Sequence, residues 1–416
     1  MIIFRKSKLI SISLVFVLIA TACSKPSGTS IPLEKRQDAA AKMDERIILA
    51  NNSFGMQLHR QLVKSEQDKK KNIVISPTSV SLAFAMTYNG SRGETQASMA
   101  KTLGWQGMSL DEINQGNETL SYLLQQPGSG VKVQIANSLW SRKGTSIRKE
   151  FMRTNESFYD AKVTELDFNS PKAPDTINEW VNKNTNGKIS KMLESINPNE
   201  VLILMNAIYF NGGWKKEFQL SGTKEESFKL QDGSTKQVKM MAQTGSYEYL
   251  QEGGFQAIRL PYGEGQMDML VILPGESSSL GALHDKLWAD PDYWNKSFHS
   301  SRGEIKLPRF KIEYSDMLNE PLKAMGMTLP FDADHADFSG IAPVPPNLFI
   351  SSVTHKTFIE VNEKGTEAAA ITSVQMAGAS APIDEPFQMT INRPFFFAIE
   401  DRQTGLWLFV GSVVEP

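Results

Sequence analysis

An α+β fold is predicted by how helical and strand patterns divide the chain. Apolar residues recur at helical spacing mainly in the first half, whereas short alternating or continuous apolar runs dominate from about residue 225. An apolar content of 40%, with 22 Phe and 7 Trp, provides for a sizeable core.

Ile47, Phe54, Leu58 and Leu62 mark a first helix over residues 42–64. Lys69, Lys70 and Lys71 read as a solvated turn. Residues 72–75 form a short buried strand, and Ser76 and Pro77 then supply an N-cap and a proline at the first helical position. Gly90 stops that helix, and another runs from Gly93 to Gly104. Strands follow at 131–140 and 163–168, then a helix over 175–194 with a break near Gly187. The run VLILMNAIYFNGGW from residue 201 is apolar throughout, as expected of a central strand covered on both faces. Residues 267–274 and 304–314 alternate as strands, and 278–287 and 315–326 carry helix signals. The segments 391–400 and 405–414 read as a closing hairpin.

A net charge of −2 points to neither nucleic acid nor an acidic substrate. The five histidines lie far apart without ligand spacing, and a single cysteine allows neither an intramolecular disulfide nor a thiolate metal cluster. No cofactor is therefore expected. An enzyme is disfavoured too, because neither a Gly-x-Ser-x-Gly elbow nor a phosphate-cradling glycine loop is present. Length alone favours two or three domains.

The N-terminus has a basic stretch, MIIFRKSK, a twelve-residue apolar run and small residues before Cys23. This is the pattern of a bacterial secretory signal over residues 1–22, and the run is shorter than the ~20 residues of a membrane span. Ala20-Thr21-Ala22-Cys23 resembles a lipoprotein processing box. Lipidation of Cys23, a tether over 23–44 and export to the outer side of a bacterial membrane, preferably the outer membrane, are the expectations.

Residues 362–386, NEKGTEAAAITSVQMAGASAPIDEP, stand apart from the rest. Between Thr366 and Ala381 most side chains are Ala, Gly, Ser or Thr. Such a composition suits an exposed loop, and equally a strand that slides between two others.

Several stretches together resemble one family. NIVISPTSVSLAFAM, LMNAIYFNGGWKKEF, LPRFKIEY, HKTFIEVNEKGTEAAAIT, INRPFFFAIED and LFVGSVVEP are similar to serpin segments, in serpin order, over about residues 45–416. The resemblance implies one domain of three β-sheets with about eight or nine helices, which replaces the estimate from length. It also implies a metastable fold with an exposed reactive-centre loop at about 363–386. Cleavage of that loop by a protease, as bait, lets its freed end insert into the main sheet and trap the acyl-enzyme.

By that resemblance the hinge comprises Glu363, Gly365, Thr366, Glu367, Ala368, Ala369 and Ala370. The shutter is Ser76, Ser79, Asn206 and His355; read from the residues alone, these are an N-cap serine, a helix-surface serine and two polar residues in or beside strands. Trp214 and Arg309 match the breach where insertion begins, Arg309 pairing with Glu363. Counting from Glu363 as the seventeenth residue before the cut places the scissile bond between Ala379 and Ser380, with Met376 as alternative bait. Four or so extra residues before Asn392, Arg393 and Pro394 are assigned to 382–386. Alanine at the cut suits the shallow pocket of an elastase-like serine protease, and cysteine proteases are further possible targets. A monomer, able to polymerise by loop–sheet insertion, is implied.

The segment also carries a strand pattern. Thr366, Ala368, Ala370, Thr372, Val374 and Met376 share one face, small near the hinge and apolar further on. Glu367, Ala369, Ile371, Ser373 and Gln375 form the other. Neither proline nor charge occurs from Ala368 to Ala381, which separates this chain from non-inhibitory serpins acting as binding or chaperone-like proteins, the alternative reading.

Overall fold

The computed structural model describes residues 33–65, 71–290, 298–345, 347–366 and 385–416. Its first part is mostly helical: α1 (Leu33–Ala41), α2 (Glu45–Ser65), α3 (Pro77–Tyr88), α4 (Gly93–Leu103) and α5 (Leu110–Gln125), with strand β1 (Ile73–Ile75) before α3. The predicted stripe of α2, Ile47, Phe54, Leu58 and Leu62, is buried. Helix α3 is buried on every side, and its N-cap Ser76 accepts from the Ser79 N–H at 3.2 Å.

Strands β2 (Val131–Arg142), β3 (Lys162–Leu166) and β4 (Leu202–Gly213) alternate with α6 (Lys149–Tyr159) and α7 (Ala173–Asn184). The helix expected to reach 194 ends at Asn184. Beyond Gly187 the chain turns back, and the side-chain Oδ1 of Asn178 accepts the N–H groups of Met192 and Leu193 at 2.7 and 3.0 Å. These amides are thereby taken out of any helical ladder.

Strands then dominate, with β5 (Lys224–Lys229), β6 (Thr235–Glu252), β7 (Phe255–Tyr262) and β8 (Met267–Pro274) leading to α8 (Leu280–Ala289). Next come β9 (His299–Pro308), β10 (Phe310–Met317), α9 (Asn319–Ala324), β11 (Ser352–Asn362) and β12 (Gly365–Thr366). The chain closes with β13 (Phe387–Thr390), β14 (Phe395–Asp401) and β15 (Leu406–Val413), the last two forming the expected hairpin.

The strand predicted over 304–314 proves to be two strands in different sheets. Pro308, with no N–H to give a ladder, ends β9, and Arg309 donates its N–H to Lys239 O at 2.8 Å as the chain crosses over. The helix predicted over 315–326 shrinks to α9, because β10 continues to Met317 in register with Thr354.

Six strands form one sheet in the order β10-β11-β12-β4-β2-β3. Nine form the other, β1-β15-β14-β8-β7-β6-β9-β13, with β5 on β6. The long β6 pairs with β5, β9 and β7 along successive parts of its length, so two of the three expected sheets are continuous through it. β8 lies between β7 and β14 and is buried along its entire length rather than on alternate residues.

Residues 33–41, assigned to the tether, are instead a docked helix. Arg36 of α1 is 2% exposed and pairs with Asp401, Gln403 and, at 2.8 Å, Gln126 O. A guanidinium this deep cannot be left in water-free surroundings without partners, and here each of its three nitrogens has one. Arg36→Ala would leave Asp401 buried without its cation, Oδ1 still held by Gln403 and Thr404, and is expected to lower stability by about 3 kcal/mol, read as a lower urea midpoint.

Candidate functional site

Strands β11 and β4 run parallel and pair from Ser352 with Ile203 to Phe358 with Tyr209. Beyond that they part, and β12 fills the gap. Its two residues pair antiparallel with both neighbours: Thr366 faces Val361 and Gly212, and Gly365 faces Asn362 and Gly213. The hinge residues Gly365 and Thr366 thus already form the first step of a strand between β11 and β4. Gly365 has φ +142°, and a Cβ there would lie 2.1 Å from Gly212 O, so no other residue fits this entrance.

Thr366 is fully buried, and its hydroxyl is 2.6 Å from that of Tyr262. Burial pushes the Tyr262 phenol above its ordinary range, so it stays protonated. Tyr262 stacks on Trp214 at 4.5 Å with 9° between the rings, and the Trp214 indole donates to Asn362 O at 2.9 Å. Beside them Arg309 donates to Glu363 through Nε at 2.8 Å and through Nη2, and Thr223 donates to the same carboxylate. Burial raises the Glu363 pKa, but the bonds from Arg309 and Thr223 outweigh it and the net shift is downward. The expected charge pair and the tryptophan are therefore gathered around β12.

Deeper in the same seam lie Ser76, Ser79, Asn206 and His355, all four fully buried; Ser79 is not on the helix surface. His355 and Asn206 are register partners across β11 and β4. The His355 Nδ1–H donates to Asn206 Oδ1 at 2.5 Å, and its Nε2 accepts the Ser76 N–H at 3.1 Å. The Asn206 amide donates to Ser79 O at 2.7 Å and Asn137 Oδ1 at 2.5 Å. This network ties the seam to the N-terminus of α3. A strand entering farther must part β11 from β4 and break the bond that crosses between them.

The bonds also fix the protonation state. Burial pushes the His355 pKa down to about 3, and its Nε2 must lack a proton to accept from Ser76. The unfolded chain takes up that proton near pH 6.5, so between 6.5 and about 3 the unfolded state binds more protons. Stability from this residue is complete above 6.5 and declines below it, by up to about 1.4 kcal/mol per pH unit. The expected result is a falling urea midpoint from pH 6.5 to 4, with the His355 ring resonances of the folded protein unmoved over that range. A ring that titrates near 6 in the native state would contradict it.

Among the sequence-predicted residues, Glu367, Ala368, Ala369, Ala370, Met376, Ala379, Ser380 and Cys23 lie outside the described residues. Sequence reasoning missed Tyr262, Thr223 and Asn137. Asn137 carried no distinguishing signal, being one of several polar residues in β2, unlike Asn206 in the apolar run of β4. Tyr262 carried none, because its partners come from distant segments.

The family described as Serpin (serine protease inhibitor) matches residues 49–416. An uncharacterised serpin-like protein of Thermococcus kodakarensis is 34% identical over 414 residues, covering 95% of this chain and 92% of that protein. The human leukocyte elastase inhibitor is 34% identical over 385 residues, 89% of this chain and all of its own. Among solved structures, the thermophilic serpin tengpin in its native state superimposes with a TM-score of 0.82 at 34% identity, over 90% of this chain and 95% of that one.

Proposed function

The chain belongs to the serpin family, whose members are generally protease inhibitors, and from that premise we propose that it traps elastase-like serine proteases by inserting its own cleaved loop. The observation that carries this reading is the position of β12. Gly365 and Thr366 already sit between β11 and β4, and the sequence from Ala368 to Ala381 is mostly small and free of charge and proline.

The protease serine attacks the Ala379 carbonyl, the Ser380 amine leaves, and an ester joins the protease to the hinge side. Released from its far attachment, that side extends β12 down the seam. Trp214, Tyr262 and the Arg309–Glu363 pair hold the entrance, and the His355–Asn206 bond is the latch that gives way. Small side chains minimise what must be displaced as the strand advances, and a charge among them would have to be desolvated. Similarity to the leukocyte elastase inhibitor and the alanine at the cut both support an elastase-like target.

The deciding experiment mixes the protein with a pancreatic or neutrophil elastase and runs a denaturing gel. A band of summed mass that survives boiling is expected, and mass analysis of the released C-terminal fragment should begin at Ser380. Cleaved protein with free, active protease as the only products would overturn the trapping reading for this target.

Ala379→Arg is expected to move selectivity to trypsin-like enzymes. An arginine forced into a shallow apolar pocket without a partner costs several kcal/mol, so the elastase inhibition rate should fall by about 100-fold or more. Elastase inhibition unaltered by this change would place the scissile bond elsewhere, with Met376 the next to test.

A further inference from the structure

Away from the seam, α2, α8, β1 and β15 enclose a cleft of about 460 Å³. Val63, Ile73, Leu280, Trp288 and Val414 make its apolar walls, and His284 and Ser412 are polar residues at its base. This volume lies within the range of small-molecule sites, which pair apolar walls with a few placed polar groups.

The polar base has an ordered set of protons. The Trp288 indole can only donate, and it donates to His59 Nδ1 at 3.3 Å. His59 therefore carries its proton on Nε2 and donates to the Ser412 hydroxyl at 3.0 Å. That hydroxyl then gives its own proton to His284 Nε2, 2.8 Å away. His284 is left with its proton on Nδ1. Burial holds both histidines below the ordinary range, His284 at about 4, so both are neutral at physiological pH. His284 is only 5% exposed, yet among the described residues its Nδ1–H meets no acceptor. That donor opens on the cleft, where an acceptor entering from solvent can meet it.

We propose that this cleft binds a small amphipathic carboxylate, an acyl or aryl acid whose oxygen accepts from His284 Nδ1 while its apolar body lies against Trp288, Leu280 and Val63. The exposed Lys64 and Asp285 at the rim offset one another, so the His284 donor decides between acid and amine. An amine of the same shape would bring a donor to a donor. The site is independent of the loop and of the inhibitory reading.

The test uses the full chain with 3-phenylpropionate and octanoate as probes and 3-phenylpropylamine as the mismatched control, by calorimetry and thermal shift. Both acids should bind and raise the melting temperature, with the amine weaker by about tenfold or more. His284→Phe removes the donor, and Gly281→Leu fills the cleft from α8. A Cβ at Gly281 meets nothing nearer than Ser279 Oγ at 3.7 Å, and leucine is the better helix former, so this variant keeps the fold. Each change should weaken acid binding by about tenfold or more, the loss of one buried charge-assisted hydrogen bond or of the cleft's space. Equal binding of acid and amine, full acid affinity in Gly281→Leu, or no acid binding at concentrations up to about 1 mM would each overturn the proposal.

Discussion

Replacing Thr366 by arginine is expected to abolish protease trapping while leaving the loop cleavable. Thr366 is the deepest residue of β12, paired on both edges and bonded to Tyr262. An arginine there would put a guanidinium into a fully buried position beside Tyr262, which itself packs on Phe210 and Trp214, at a cost of several kcal/mol. The uncut protein can avoid that cost by withdrawing two residues from the sheet. The cleaved loop cannot, because every later residue must enter behind this one. Slowed insertion gives the acyl-enzyme time to hydrolyse, so the ratio of cleaved to trapped product should rise about 100-fold or more, the equal of ~3 kcal/mol. Thr366→Ser, which keeps the hydroxyl, should trap normally. A high-mass band undiminished in the arginine variant would sink the insertion mechanism.

A comparably large effect is expected from the cut itself. In the native form seven residue pairs join β11 to β4. Insertion replaces that one parallel interface by two antiparallel ones, and antiparallel pairing is slightly the stronger per residue. About fourteen residues of strand would span ~48 Å, with roughly ten additional ladder bonds at about 1 kcal/mol each, on the order of 10 kcal/mol in all. That equals the whole stability of an ordinary domain and, spread over the unfolding entropy of roughly 370 residues, should raise the melting temperature by about 13 °C. Circular dichroism melts before and after nicking the loop measure it directly. An unchanged curve would mean that the loop stays out of the sheet.

Local signals were legible where short-range chemistry decides. Ser76 and Pro77 marked the start of α3, and the unbroken apolar run from residue 201 identified β4 as an interior strand covered on both faces. Helix α5 was overlooked although its capping box, Ser109 with Glu112, stood in the sequence. Features fixed by tertiary context were not legible. Nothing in the sequence around Pro308 says that the next strand joins another sheet. Arg36 looks like one more tether cation until Asp401, more than 360 residues later, is seen beside it. For the hinge, composition showed what a strand there would require. Only the structure shows its first two residues in place.

The position of β14 has a further consequence. It lies between β15 and β8, interior to the nine-stranded sheet, yet it belongs to the polypeptide beyond the proposed cut. After cleavage the molecule is a heterodimer of unequal chains, the smaller one supplying central strands to the larger. Its unfolding becomes a dissociation, and refolding requires a second-order encounter between fragments. The melting point of the nicked form therefore depends on protein concentration, while that of the intact chain does not. In dilute solution a fragment lost on unfolding would be slow to return, so unfolding of the nicked form should be irreversible there.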